Sequence, residues 1–252
     1  MGTSKSTRSI KTDETIEPIY QKYQLLKQEV DSWRQERGAY WKETISLSEN
    51  PPYLPLQDLP PEAVIELWQR INSAARITVS DSELREIWER FKKDQTAMDE
   101  ETAARFQMAV SGVACLAGEK AYEKGVLIPS GVPHDAISCP VCNEAVALAV
   151  LTPPGGHRVM HCSSCSFEWP VKRIGCLSCG SQDAKQQIFL TNDAFPGIEI
   201  AVCQVCGHSF KEIDARKLSS RDYIWEDLRT LPLNFAVEQW LAEQTKKYKP
   251  VH

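Results

Sequence analysis

The chain has 252 residues, a formal net charge of −5, and ordinary hydrophobic and charged fractions of 42% and 25%. These values are typical of a globular protein with one or two domains. The acidic balance argues against a general nucleic-acid binder, whose binding domain is usually basic. Nine cysteines are too few for a fold held mainly by disulfides. Eight of them lie between Cys139 and Cys206, which makes their position more informative than their number.

Residues 1–12 are polar and predict a disordered tail. No apolar run approaches the ~20 residues that a membrane-spanning helix needs, and the N-terminus has no apolar export segment. The sequence therefore predicts a cytoplasmic protein without a membrane span. Thiols stay reduced in that compartment, so paired cysteines there favour metal binding over disulfides.

Residues 13–125 predict an all-helical N-terminal domain. Apolar side chains recur there at three- and four-residue spacing, first in the stripe Ile16, Ile19, Tyr20, Tyr23, Leu26, Val30 and Trp33. Ser80 with Glu83 three residues later is typical of a capping box at a helix start. A long fourth helix is expected from about Asp99 to Lys124, with Gly125 as its left-handed stop.

The composition changes after this domain, and the fold class predicted is α+β. Proline and glycine mark a linker, short apolar runs such as Ala145–Leu151 and Ile198–Val202 suit strands, and the last part is again helical. The predicted divisions are a linker at 126–138, a first metal module at 139–172, a second at 173–215, and a C-terminal helical segment at 216–252.

The cysteines form four C-x-x-C pairs, and these carry the chemistry of the sequence. Two intervening residues let both thiolates of a pair face one metal, and two such pairs complete a tetrahedral four-sulfur site for zinc or for a single iron. The eight predicted metal ligands are Cys139, Cys142, Cys162, Cys165, Cys176, Cys179, Cys203 and Cys206. A site with four protein ligands has no open position for water, so it favours a structural role.

The spacing of the pairs predicts which of them share a metal. Nineteen residues separate Cys142 from Cys162, and 23 separate Cys179 from Cys203. Each gap suits a β-hairpin that brings two pairs together, as in zinc ribbons and rubredoxin. The first two pairs are therefore assigned to site one and the last two to site two. The alternative is an interleaved, RING-like arrangement in which the first pair joins the third.

The residue that follows each pair indicates the local turn. Gly180 and Gly207 reach the left-handed backbone conformation freely, and Asn143 tolerates it. That turn can aim backbone N–H groups at the sulfurs. Ser166 is the least favourable of the four residues, so the second turn is expected to be strained or differently formed.

The remaining reactive residues are interpreted as structural. His161 and His208 lie beside cysteine pairs that are already complete, so they are expected to neighbour the metals without binding them. Cys115 lies among apolar residues of the fourth helix and is expected to be a buried small side chain. Trp169 is expected to pack on the second pair. No P-loop, dinucleotide-binding or nucleophile motif is present, and the sequence predicts neither an enzyme nor a small-molecule substrate.

The chain resembles the family of the formate dehydrogenase accessory protein FdhE. The resemblance rests on a helical N-terminal half followed by CPVC, HCSSC with SFEWP, RIGCLSCG and AVCQVCGHSFKEID, and then by the tail WEDLRTLPLNFAVEQWL. It covers roughly residues 15–245. Four pairs in this order and spacing, joined to a helical domain, are a fairly specific mark of the family. A single C-x-x-C pair would not be.

The resemblance implies a cytoplasmic maturation factor. Proteins of that family bind the catalytic subunit of respiratory formate dehydrogenases before its export by the twin-arginine route. They carry two rubredoxin-like modules to which iron or zinc has been assigned. The eight cysteines match the family's ligands. The chain has Asn143 where the family often has glycine, and Asn234 where the family commonly has an acidic residue. The second difference bears on the contact with the formate dehydrogenase subunit.

Two other functions stay open at this point. A rubredoxin-like iron protein would act in electron transfer during metalloenzyme maturation. A nucleic-acid-binding zinc ribbon would bind with a steep salt dependence. The window 139–206 holds five acidic and four basic residues, which argues against the second of these functions and in favour of a protein partner.

Overall fold

A computed structural model of the chain describes residues 13–93, 95, 97–126, 137–218 and 221–247. The predicted tail at 1–12 and most of the predicted linker, residues 127–136, lie outside the described residues. The helices are α1 (Asp13–Thr44), α2 (Pro61–Ala74), α3 (Asp81–Phe91), α4 (Glu100–Glu123), α5 (Tyr223–Arg229) and α6 (Leu231–Lys247). The strands are β1 (Leu148–Thr152), β2 (His157–His161), β3 (Glu168–Pro170), β4 (Gln187–Thr191), β5 (Ile198–Cys203) and β6 (Ser209–Asp214).

Capping residues mark the starts of α3 and α4 and the end of α4. Ser80 accepts a hydrogen bond from the Glu83 backbone N–H at the start of α3, and Asp99 accepts one from Thr102 at the start of α4. Gly125 follows α4 in the left-handed conformation, with φ +59°. These findings confirm the predicted helix boundaries in this part of the chain. Trp33 and Trp68 are fully buried in the core that the four helices share.

The strands form one six-stranded sheet in the order β3-β2-β1-β6-β5-β4. β1 and β2 make the antiparallel hairpin predicted between the first two cysteine pairs. β4 and β5 make the hairpin predicted between the last two. β1 also pairs in parallel with β6, so the strands around site one and those around site two belong to a single sheet. No sequence pattern indicates this junction, and the predicted boundary between the two modules at 172/173 stays a prediction.

The two faces of the sheet pack against different helices. Ala149, Met160 and Phe210 belong to the core that also contains α1–α4. Ile200 and Ile213 belong to a second core, which Leu233 and Val237 of α6 help to close. The helical domain and the C-terminal helix therefore hold the sheet between them.

Two predicted elements differ from the structure. β1 begins at Leu148 rather than at residue 145, and Ala145 makes only an isolated bridge to Ser138. The last helical region is two helices, because the chain turns at Thr230, whose hydroxyl donates to the Glu226 carbonyl at 2.6 Å. Among the described residues, no helix combines the length and the apolar character that crossing a membrane requires.

Candidate metal centres

Within the described part of the chain, two groups of side chains are close enough to hold a metal ion. They are Cys139, Cys142, Cys162 and Cys165 (site one) and Cys176, Cys179, Cys203 and Cys206 (site two). In each group the four sulfur atoms all lie within 4.8 Å of one another. The groups are those of the sequential assignment and not those of the interleaved, RING-like alternative.

The sulfur separations match those of a tetrahedral thiolate site. A metal–sulfur bond of about 2.3 Å places the corners of a tetrahedron about 3.8 Å apart. At site one, Sγ of Cys139 lies 3.4 Å from Sγ of Cys165. At site two, Sγ of Cys179 lies 3.8 Å from Sγ of Cys203. Both donor sets therefore fit a four-coordinate zinc or iron ion, and the eight side chains that would hold the two ions are the predicted cysteines.

All four cysteine turns have the same backbone form. Asn143, Ser166, Gly180 and Gly207 have φ values of +66°, +56°, +73° and +75°. In each turn this residue donates its N–H to the carbonyl of the first cysteine, as Ser166 does to Cys162 at 2.8 Å. Of the two alternatives expected for the second turn, a differently formed turn is wrong, whereas a strained turn agrees with the left-handed φ of Ser166. Ser166 adopts the left-handed conformation despite its side chain, and its hydroxyl lies 3.2 Å from Sγ of Cys115.

Hydrogen bonds divide the thiols of each site into more and less acidic members. At site one, hydrogen bonds from the Cys139 and Cys142 thiols hold the pKa of Cys162 well below its usual range. At site two, burial acts most strongly and raises the pKa of Cys203, but N–H groups of Cys206 and Val205 outweigh it and lower the pKa to about 7. Burial raises the pKa of Cys176 to about 12. Metal binding releases protons from thiol ligands, so the occupancy of both sites depends on pH.

Site one is enclosed by the helical domain. All four of its cysteines are buried and belong to the core that contains α1–α4. The loop after α1 binds the first turn, since Tyr53 donates its N–H to Pro140 and Leu54 donates to Val141 at 2.7 Å. α4 covers the second turn at Gly118, where an added Cβ would stand 2.3 Å from the Cys165 carbonyl oxygen. Trp169 is buried and stacks on Phe167, and its packing on the second cysteine pair stays a prediction.

Site two lies nearer the surface. Cys176 and Cys203 are buried, Cys179 is half-buried, and Cys206 is exposed. A polar side chain supports the site from β4, where Gln187 donates to Sγ of Cys203 at 3.5 Å. Beyond the last turn there is open space, because nothing lies within 4 Å of a Cβ built on Gly207. The two sites thus share a turn geometry and differ in their surroundings.

Both histidines next to the cysteine pairs lie outside the two sulfur groups, in agreement with the prediction. His161 is buried, its Nδ1 lies 2.9 Å from Oε1 of Glu168, and its ring meets Tyr223 of α5 edge-on. His208 packs beside Phe210, and burial lowers the pKa of its ring. His161 therefore links the second cysteine turn to α5, a role that the sequence pattern did not indicate.

Cys115 is half-buried, so the expectation of a fully buried side chain is wrong. It lies at the wall of a cavity of about 840 Å³ between α1, α4 and α5, and Ile19 and Leu228 lie at the same cavity. Burial raises the pKa of the Cys115 thiol, although the nearby Arg34 opposes this. The thiol is therefore protonated at neutral pH, which makes it a weak nucleophile.

A buried ion pair joins the strands of the two sites. Arg158 on β2 donates to Oε2 of Glu212 on β6 at 2.7 Å, and both side chains are only 4% exposed. The guanidinium also lies over the ring of Phe210. On the opposite face of the sheet, the buried Lys211 binds Asp227 of α5 at 2.6 Å. Sequence reasoning missed these residues because no local pattern marks a charge that the tertiary fold will bury.

Part of the chain is similar in sequence to known proteins. No family model matches the chain. The FdhE homolog of Shewanella baltica (strain OS223) is 36% identical over 98 residues, which are 38% of this chain and 32% of that protein. Protein FdhE of Escherichia coli O1:K1 / APEC is 29% identical over 103 residues, which are 40% of this chain and 33% of that protein. The match thus spans about a third of the length of these curated relatives.

A solved structure extends the likeness beyond the matched segment. The crystal structure of the FdhE protein from Pseudomonas aeruginosa superimposes with a TM-score of 0.56, covering 86% of this chain and 80% of that one. The identity is 17%, so this comparison bears on the fold alone. The fold is α+β, with a helical domain, a mixed sheet that carries two four-cysteine clusters, and a C-terminal helix. The sequence match, over 38% of this chain, and the fold match, over 86% of it, are both to proteins named FdhE, and they confirm the resemblance.

Proposed function

We propose that this chain is a maturation factor for a formate dehydrogenase: it binds one metal ion at each four-cysteine site and holds the catalytic subunit before export. It acts in the cytoplasm and performs no catalytic step of its own. The observation that carries the proposal is the pair of four-sulfur clusters on an FdhE-like fold. Relatives that match in sequence are named FdhE proteins.

The geometry supports a structural role for the metals. Four thiolates fill the coordination shell of zinc or of a single iron and leave no position for water or substrate. Each ion would tie a hairpin to the two turns that flank it, because the ligands of a site come from the start and the end of one hairpin. A bound metal therefore stabilises the hairpin and the two turns of its site.

Affinity capture from native cells tests this function, with metal analysis of the same sample. We expect the tagged chain to carry two metal ions and to co-purify with the catalytic subunit of a formate dehydrogenase. A chain with Cys139→Ser and Cys162→Ser should lose site-one metal and the partner. Cys115→Ser is the matched control, since Cys115 lies outside both clusters. The proposal fails if deletion of the gene leaves formate dehydrogenase activity intact.

An iron-based redox role is the second candidate. The exposure of Cys206 favours it, because electron transfer needs one ligand edge close to the surface. Iron in overexpressed protein does not decide the matter, since four-thiolate sites also accept a metal that is not their native one. A red, reducible protein with one iron at each site would support this role. Zinc-loaded, colourless protein that sustains full maturation would exclude it.

A further inference from the structure

We propose that the two metal sites have different tasks: site one holds its ion within the core and releases it slowly, whereas site two exchanges its ion rapidly with molecules in solution. This inference rests on the proposed metal binding. The activity proposed for site two is the release and uptake of a divalent cation on the side where Cys206 is exposed.

Residues at the same position of two cysteine turns differ in their exposure. Val141 and Val205 occupy the same position in their turns, directly before the second cysteine. Val141 is 0% exposed and Val205 is 59% exposed. The two turns have the same backbone form, so the difference arises from what covers them. The helical domain covers the turn at Val141, whereas the described residues leave most of the Val205 side chain uncovered.

The two sites also differ in how much of the protein would have to move to free a metal ligand. At site one, backbone hydrogen bonds from Tyr53 and Leu54 fix the first turn. Gly118 of α4 lies against the second turn at a separation that admits no methyl group. A ligand of site one can leave its metal only if the sheet separates from the helices, which requires a large opening of the core. At site two, Cys206 can leave with a local motion of an exposed turn.

The exchange step needs no oxidant or reductant. A donor atom of an incoming chelator would replace Sγ of Cys206 as a ligand, and the other three cysteines would be replaced in turn. Each freed thiolate would take a proton from the solvent, and the cation would leave with the chelator. The surface beside the third cysteine turn is accessible too, since Ile174, two residues before Cys176, is exposed. A bulky chelator or a metal-accepting protein can therefore approach site two.

The test follows zinc release from the full chain loaded with two zinc ions. The chromogenic chelator 4-(2-pyridylazo)resorcinol reports free zinc, and pulses of N-ethylmaleimide with peptide mass spectrometry identify the cysteines that become free. We expect two phases of equal amplitude, separated by at least about tenfold in rate, with alkylation of the site-two cysteines in the fast phase. A single phase for both ions, no release of either ion, or earlier alkylation of site one would overturn the inference.

Variants separate this inference from the proposed function. Gly118→Ala should accelerate release from site one and leave the site-two rate unchanged. Gly38→Ala, a helix glycine that faces only the side chains of Leu116 and Arg34, is the matched control. If Gly118→Ala does not fold, the order in which the cysteines of the unmodified chain are alkylated still shows which site releases its ion first. A chain that binds two zinc ions and releases both at one rate contradicts only the inference, whereas a chain that binds none contradicts the proposed function.

Discussion

Gly118 of α4 lies directly against the carbonyl group of Cys165, such that an added Cβ would stand 2.3 Å from its oxygen. The contacted atom belongs to the backbone of a cysteine turn, so no side-chain rotation can relieve the overlap. This contact fixes how closely the helical domain approaches site one.

We therefore expect Gly118→Ala to lower the free energy of unfolding of the metal-loaded protein by about 1–3 kcal/mol, the usual cost of overpacking. The loss occurs although alanine favours a helix over glycine by about 1 kcal/mol. Chemical denaturation followed by tryptophan fluorescence measures the change.

The control for this prediction is Gly38→Ala in α1. An added Cβ there would lie 3.3 Å from a methyl group of Leu116, and that side chain can adjust. Its effect should stay within about 1 kcal/mol of zero. Equal stabilities of the two variants would show that the contact with Cys165 does not limit the packing.

Features that depend on short stretches of sequence were predictable. The capping residues Ser80 and Asp99 lie where the pattern placed helix starts, because a cap depends on three or four neighbouring residues. The two cysteine clusters followed from pair spacing, because a hairpin between two pairs brings them together. Metal ligation by these eight cysteines stays a prediction.

Features that depend on distant parts of the chain were not predictable. The parallel pairing of β1 with β6 joins segments about 60 residues apart, and nothing in either strand encodes it. The same holds for Arg158 and Glu212, which are 54 positions apart. Their burial depends on the strand that lies between them. The different exposure of Val141 and Val205 also depends on the helical domain and not on the turns themselves.

The second prediction concerns the buried pair of Arg158 and Glu212. Arg158→Met should destabilise the protein by about 3–5 kcal/mol, because it leaves a buried carboxylate without its partner. The double variant with Glu212→Leu should lose less than the sum of the two single changes, since it removes both buried charges. Urea denaturation of the four proteins in a double-mutant cycle gives the coupling energy. Simple additivity would mean that the pair does not couple β2 to β6.

The third prediction concerns Ser166, the non-glycine residue that adopts a left-handed conformation in the second turn. Ser166→Gly removes a backbone cost of about 1–2 kcal/mol, and part of this is offset by the greater freedom of glycine in the unfolded chain. We expect a net stabilisation of up to about 1 kcal/mol. Ser166→Val should destabilise, since a β-branched side chain is poorly accommodated at positive φ. Thermal unfolding of zinc-loaded samples compares the two. A loss of stability in both variants would instead indicate that the contact of Ser166 with Cys115 dominates.

The last prediction concerns Glu199, which faces Glu212 across β5 and β6. Burial, and then the charge of Glu212, raise the pKa of Glu199 above its usual value of 4.5. The ionised form is therefore disfavoured in the folded protein. The free-energy cost of carrying the ionised Glu199 in the folded protein is fully present above the raised pKa. It disappears as the pH falls below 4.5.

Glu199→Gln should accordingly stabilise the protein at pH 8 by a few tenths to about 1 kcal/mol, after screening by solvent. This advantage over the unmodified chain should shrink as the pH falls towards 5. Urea denaturation at matched pH measures the difference, and a loss of metal at low pH affects both proteins alike. Glu238→Gln, at an exposed position of α6, is the control for removing a negative charge. A benefit of Glu199→Gln that stays constant between pH 8 and pH 5 would rule out repulsion between the two carboxylates as its cause.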